Sequence, residues 1–139
     1  MGRFHTLLDR EVVTAVGKLG LSRSEFDVLT ALLATAEGEA RPGDLSTGLL
    51  LTTGGTSNIL RRLERERLVE RAGDSSDRRS YRIRLTPAGA ARAGEALSLV
   101  DARLTRLLAS MDIDAIRSGT EILHELLTQL GEDGPVHQF

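Results

Sequence analysis

Residues 52–85 read TTGGTSNILRRLERERLVERAGDSSDRRSYRIRL, and the rest of the chain is organised to present them. The first part has helical period: Thr56, Leu60 and Leu63 fall on one face and leave Ser57, Asn58, Arg61, Arg62 and Arg65 toward the other. After Arg67 the period changes to two, because Tyr81, Ile83 and Leu85 alternate with Arg82 and Arg84 as in a strand buried on one side. Leu68 to Ala72 supplies its partner. Between the two lies GDSSDRRS at 73–80, too polar to pack and rich in turn residues, which predicts an exposed hairpin tip.

A helix followed by a basic-tipped hairpin is the winged-helix plan, and the charge distribution fits it. From Arg61 to Arg84 there are nine arginines against five acids, a net of +4, whereas the chain as a whole is −2. Segregated positive charge is an electrostatic footprint for a polyanion. Charge alone leaves a second reading open, a solvated helix face laced with Arg/Glu pairs through Glu64, Glu66 and Glu70.

Working outward, 139 residues at 40% hydrophobic content are enough for one domain with a modest core. No apolar run is long enough to span a membrane and no secretory signal opens the chain, which predicts a cytoplasmic protein. With no cysteine there is neither a disulfide nor a redox-sensing thiol. His5, His124 and His137 lack metal-ligand spacing, and no phosphate loop, nucleophile elbow or paired carboxylate marks a catalytic centre. The expectation is a binding protein without cofactor or metal, and not an enzyme.

Phe4, Leu7, Leu8, Val16 and Leu19 predict an amphipathic helix ending near Gly20. Ser22 and Glu25 form a capping box, so a helix starts at Arg23 and runs to about Ala36. Pro42 opens a third helix, the support of a helix-turn-helix, with Leu45 and Leu49 inward. Thr52 or Thr53 caps the recognition helix, 53–67, whose first turn holds Gly54 and Gly55. Two helical glycines cost about 1 kcal/mol each relative to alanine. Close approach of the backbone to a phosphate would account for them, and so would a loose turn in a glycine-rich chain. Thr86-Pro87 opens a long helix to about Ser110, and Asp112 caps another that ends at Gly131. Each has a single apolar stripe, one led by Leu97, Val100 and Leu104, the other by Ile116, Leu123 and Leu126. The two stripes could cover each other in an intramolecular hairpin. A small domain leaves too little core for these and the N-terminal helix together, which favours a homodimer.

The expected architecture is therefore mainly α with a small β-hairpin. A winged helix-turn-helix occupies 21–87, dimerisation helices occupy 1–20 and 88–131, and a tail occupies 132–139. Candidate contacts to double-stranded DNA are Ser57 and Asn58 at base edges in the major groove with Thr53 and Thr56 nearby, Gly55 where the backbone approaches a phosphate, and Arg61, Arg62 and Arg65 on phosphates. On the wing, Arg78 and Arg79 have the chemistry to enter a narrow minor groove, oriented by Asp77. Each keeps a plainer reading, a solvated serine in one case and a charged loop in the other.

Several segments in order carry a resemblance. They are LSRSEFDVL at 21–29, PGDL at 42–45, GTSN at 55–58, RLE at 62–64, LVER at 68–71, DRR at 77–79 and LTPAG at 85–89. Together the run from Leu21 to Gly89 resembles the MarR family of bacterial transcriptional regulators, on the side of its urate- and phenolic-responsive branch. The resemblance implies winged-helix dimers that usually repress at a palindromic operator and are released by small ligands. In the urate-responsive branch the ligand site is similar to a Trp, Asp and Arg set. Here Asp27 matches the Asp, Ile59 stands where the Arg is expected, and there is no tryptophan. Asp27 could instead pair with Arg3, Arg10 or Arg62. The alternative to a DNA-binding regulator is a winged-helix module that binds other proteins.

Overall fold

A computed structural model describes residues 2–73, 81–109, 111–129 and 131. The elements run α1 (Gly2–Gly17), α2 (Arg23–Leu33), β1 (Glu39–Ala40), α3 (Pro42–Gly48), α4 (Thr53–Arg65), β2 (Val69–Ala72), β3 (Arg82–Leu85), α5 (Pro87–Leu108) and α6 (Ile113–Gln129). This is the mainly helical winged-helix order that the periodicity predicts.

The helix starts follow from local chemistry. Ser22 and Glu25 complete the capping box of α2, with Ser22 Oγ accepting from Glu25 N and Glu25 Oε2 accepting from Ser22 N at 2.7 Å. Pro42 opens α3. Thr52 Oγ1 accepts from Gly55 N at 3.1 Å to cap α4, and Thr86 Oγ1 accepts from Gly89 N at 3.0 Å to cap α5. Each such cap stabilises its helix by about 1 kcal/mol.

Two details differ from the expectation. The expected antiparallel pair β2 and β3 is present and gains a third strand, in the order β1-β3-β2, because Glu39 and Ala40 pair with Arg84 and Ile83. The recognition helix ends at Arg65 rather than Arg67. Arg67 adopts φ +59, and Leu68 N donates to Leu63 O, which closes the helix end in a left-handed turn.

The chain forms two compact units, residues 1–104 and 105–139. In the first, Val12, Val16, Val28, Leu29, Leu32, Leu45, Leu60, Leu63, Leu68, Ile83, Ala93, Ala96 and Val100 make one core. α1 thus buries its second half within its own chain, while Phe4 and Leu7 stay about half exposed. The second unit holds the end of α5 and all of α6, none of whose residues is buried. Among the described residues, no helix is long and apolar enough to cross a membrane.

Gly89 fixes where α5 passes the sheet. A Cβ at this position would lie 1.8 Å from the Leu68 carbonyl oxygen, which also accepts from Thr86 N. Only glycine lets the first turn of α5 approach the backbone just before β2 so closely. The tail 132–139 lies outside the described residues.

Candidate nucleic-acid interface

α4 is positioned by its inner face. Thr56, Leu60 and Leu63 are buried, the last completely. Thr56 was expected near the bases and lies elsewhere: its side chain is 1% exposed, its hydroxyl donates to Thr52 O at 3.1 Å, and it accepts from Ser46 Oγ at 2.8 Å. The buried hydroxyl ties α4 to α3, as a buried polar group requires.

The opposite face is solvent-exposed and carries Thr53, Ser57, Asn58, Arg61 and Arg65. Ser57 Oγ donates to Thr53 O at 2.9 Å, and Arg61 reaches back to Ser57 O at 3.3 Å and Asn58 Oδ1 at 2.9 Å. These are weak, exposed bonds that a stronger acceptor can replace. Arg65 makes no ion pair among the described residues.

The glycines differ. A Cβ on Gly55 would come within 3.0 Å of Thr52 Oγ1, so the cap itself favours glycine there. A Cβ on Gly54 would meet nothing within 4 Å, so packing gives it no reason.

Arg62 has internal partners. Its Nε lies 2.8 Å from Glu25 Oε1 and 3.3 Å from Glu66 Oε1, and Nη2 donates to Gly20 O at 3.4 Å. It was expected on a phosphate, but its charge is already met by two carboxylates. Sequence reading assigned Glu25 to the helix cap and missed that the same carboxylate is 2% exposed and meets a cation from α4.

The wing strands are braced by ion pairs. Glu39 Oε2 accepts from Arg84 Nη2 at 2.8 Å and Nε at 3.0 Å, and Oε1 accepts from Arg82 at 3.3 Å. The hydrogen bond from Arg84 holds the Glu39 carboxyl below its ordinary value. Arg71 donates to Glu64 at 2.7 Å and stacks 4.7 Å from the Tyr81 ring, and the bond to Glu64 raises its already high pKa. A cavity of about 260 Å³ between α4 and the sheet is lined by residues that include Ser57, Arg61, Arg71 and Tyr81. Asp77, Arg78 and Arg79, with the rest of 74–80, lie outside the described residues. β2 ends at Ala72 opposite Arg82, on either side of them.

Asp27 is claimed by a neighbour that the sequence reading did not name. Arg23 Nε donates to both of its oxygens, at 2.9 and 3.1 Å, and Arg23 also meets Asp9 of α1. The spacing of four along one helix was the available signal. Ile59 is half-buried against the core. Among the described residues, no group of three or more His, Cys, Asp and Glu could hold a metal ion.

Residues 19–80 match the family described as "MarR family". No curated protein matches the chain in sequence. Solved structures share the fold. Wild-type MarR from E. coli in its apo form is 24% identical with a TM-score of 0.76, covering 91% of this chain and 96% of that one. Sco5413, a MarR family transcriptional regulator from Streptomyces coelicolor, is 21% identical with a TM-score of 0.80, covering 94% and 90%. A cysteine-substituted mutant of MarR from E. coli, complexed with operator DNA, is 24% identical with a TM-score of 0.75, covering 91% and 92%. The neighbours whose role is stated are transcriptional regulators.

Proposed function

We propose that this chain, which carries the MarR family segment over residues 19–80, is a transcriptional regulator that binds operator DNA as a homodimer. The observation that carries the reading is the division of α4, whose apolar face is locked into the core while Thr53, Ser57, Asn58, Arg61 and Arg65 stand free in solvent. Short polar side chains near the start of such a helix reach base edges in the major groove, and the arginines further along meet phosphates. The structural neighbour solved with operator DNA supports the same use of the fold.

In this reading Arg78 and Arg79 enter the minor groove, with Asp77 orienting them. Exposed Ile113, Ile122, Leu123, Leu126 and Leu127 on α6 supply the apolar surface on which a second copy docks. Two recognition helices related by a twofold axis read an inverted repeat with half-site centres about 10 bp apart. The dimer works in the cytoplasm, represses, and is released by a small phenolic or anionic ligand that acts near Asp27 and Ile59.

A mobility-shift assay and footprint on the gene's own upstream DNA, with and without phenolic ligands, tests this. Protection of two half-sites one helical turn apart is expected, and a single asymmetric half-site overturns the dimeric reading. Arg61→Ala with Arg65→Ala should make the salt dependence of binding shallower by about 0.9 for each phosphate no longer neutralised, up to about four phosphates per dimer. An unchanged slope would remove both residues from the interface.

A further inference from the structure

Glu25 is an uncommon residue to find buried. Its carboxylate is 2% exposed, sits in the first turn of α2, and is shared between two elements. Oε2 accepts from Ser22 N at 2.7 Å, and Oε1 lies 2.8 Å from Arg62 Nε on α4. A carboxylate removed from water needs an opposite charge or strong donors to remain ionised, and Arg62 is the cation that the fold brings to it. The guanidinium then reaches Gly20 O on the corner between α1 and α2. The same corner is tied to α5, because Arg92 Nη1 donates to Leu19 O at 2.9 Å.

We propose that Glu25 is a positioning residue for DNA reading, clamping the recognition helix to the α1–α2 corner through Arg62. The inference rests on the DNA-binding role of α4 and specifies what sets that helix's rotation about its own axis. Leu60 and Leu63 hold α4 down by hydrophobic contact that is non-directional and tolerates rolling, and the Thr56 hydroxyl ties only its first turn to α3. An ion pair to a buried, doubly engaged carboxylate is directional. Arg62 lies next to Arg61 and one turn after Asn58, so a roll that moves Arg62 moves the exposed face with it. Arg62 also cannot serve DNA as Arg61 does. With Glu25 and Glu66 both on it, the cluster is net negative by formal charge.

Glu25→Gln separates this role from a phosphate contact. The amide oxygen still accepts from Ser22 N, so the cap survives, while the charge that holds Arg62 is gone. Binding is measured by fluorescence anisotropy to a duplex from the footprinted upstream region and to an unrelated duplex of equal length. The clamp predicts that Glu25→Gln and Arg62→Met each weaken operator binding by about tenfold, and that the double variant is no weaker than either single. Affinity for unrelated DNA, and its salt slope, should stay at the wild-type value. Operator binding by Glu25→Gln at wild-type strength overturns the proposal, as do losses that add in the double variant.

A salt slope on unrelated DNA shallower by about 2 per dimer in Arg62→Met also overturns it, since that marks a phosphate contact. Should Glu25→Gln fail to fold, Arg62→Met decides by the same split between operator and unrelated DNA. If the wild-type protein shows no preference for operator DNA, the function proposed above falls, but the clamp is still readable in the free protein. Amides of α4 should then exchange faster in Arg62→Met while those of β2 and β3 keep their protection, and unchanged exchange in α4 overturns the clamp.

Discussion

α4 and α6 are both amphipathic helices with one apolar stripe, and the fold treats them in opposite ways. α4 buries Thr56, Leu60 and Leu63 against its own chain and leaves its polar face in water. α6 buries nothing, and Ile113 is 65% and Ile122 58% exposed. Periodicity therefore reports that a face is to be covered but not what covers it. The difference lies in neighbours. α4 follows α3 closely and precedes β2, whose Val69 joins the core, whereas α6 is last in the described chain and lies in the second compact unit.

The sharpest way to break this contrast is to remove an anchor from α4. Leu63 is fully buried and touches the centre of the core. Leu63→Ala should cost about 2–5 kcal/mol, read as a lowered urea midpoint, because it leaves a cavity that helix α4 cannot collapse into without tilting. A loss under about 1 kcal/mol would mean that α4 is not held from beneath.

Gly89→Ala comes next. The new methyl would sit against the Leu68 carbonyl oxygen at 1.8 Å, and backbone cannot move aside as a flexible side chain does. The first turn of α5 or the start of β2 must shift, at a cost of about 1–3 kcal/mol or more. The midpoint should fall, and under the proposed DNA-binding role operator affinity should fall with it, because β2 leads into residues 74–80. A variant as stable as the wild type would contradict the close approach.

For α6 the expected result is different in kind. Leu123→Ser with Leu126→Ser removes apolar side chains that are each 44% exposed, so a single chain loses little. If a second copy covers them, the wild type should be a dimer by sedimentation with a melting temperature that rises with protein concentration, and the double variant should be a monomer without that dependence. A monomeric wild type would leave the stripe uncovered and end the parallel with α4.

What the sequence disclosed follows the same division. Caps are local, so Ser22, Pro42 and Thr52 marked their helices within a residue. Strand β1 escaped because two residues, Glu39 and Ala40, are too short to display a period, and their partners lie more than forty positions away. Glu25 was legible as a cap and illegible as a buried ion-pair partner for the same reason, since Arg62 is distant in sequence. Assigning every arginine of α4 to DNA treated the helix as having two faces, when its flank toward the α1–α2 corner is a third.

The smallest expected effect concerns the turn that delivers α4. α1 and α3 end alike: Leu21 N donates to Val16 O after Gly20, and Leu51 N donates to Ser46 O after Leu50. Gly20 has φ +72 and Leu50 φ +53, so both occupy the left-handed region, where a side chain costs about 1–2 kcal/mol and glycine little. Leu50 is also 90% exposed, so its side chain returns almost no packing energy within the chain. Leu50→Gly relieves the strain but adds about 0.4–1 kcal/mol of unfolded-state freedom, which leaves a net gain of about 0 to 1.6 kcal/mol. Leu50→Asn tolerates the same backbone without that added freedom and should gain slightly more. Both variants should melt a few degrees higher. A lower melting temperature in both would show that Leu50 has a partner outside its own chain, and the turn before α4 would then share the situation of the α6 stripe.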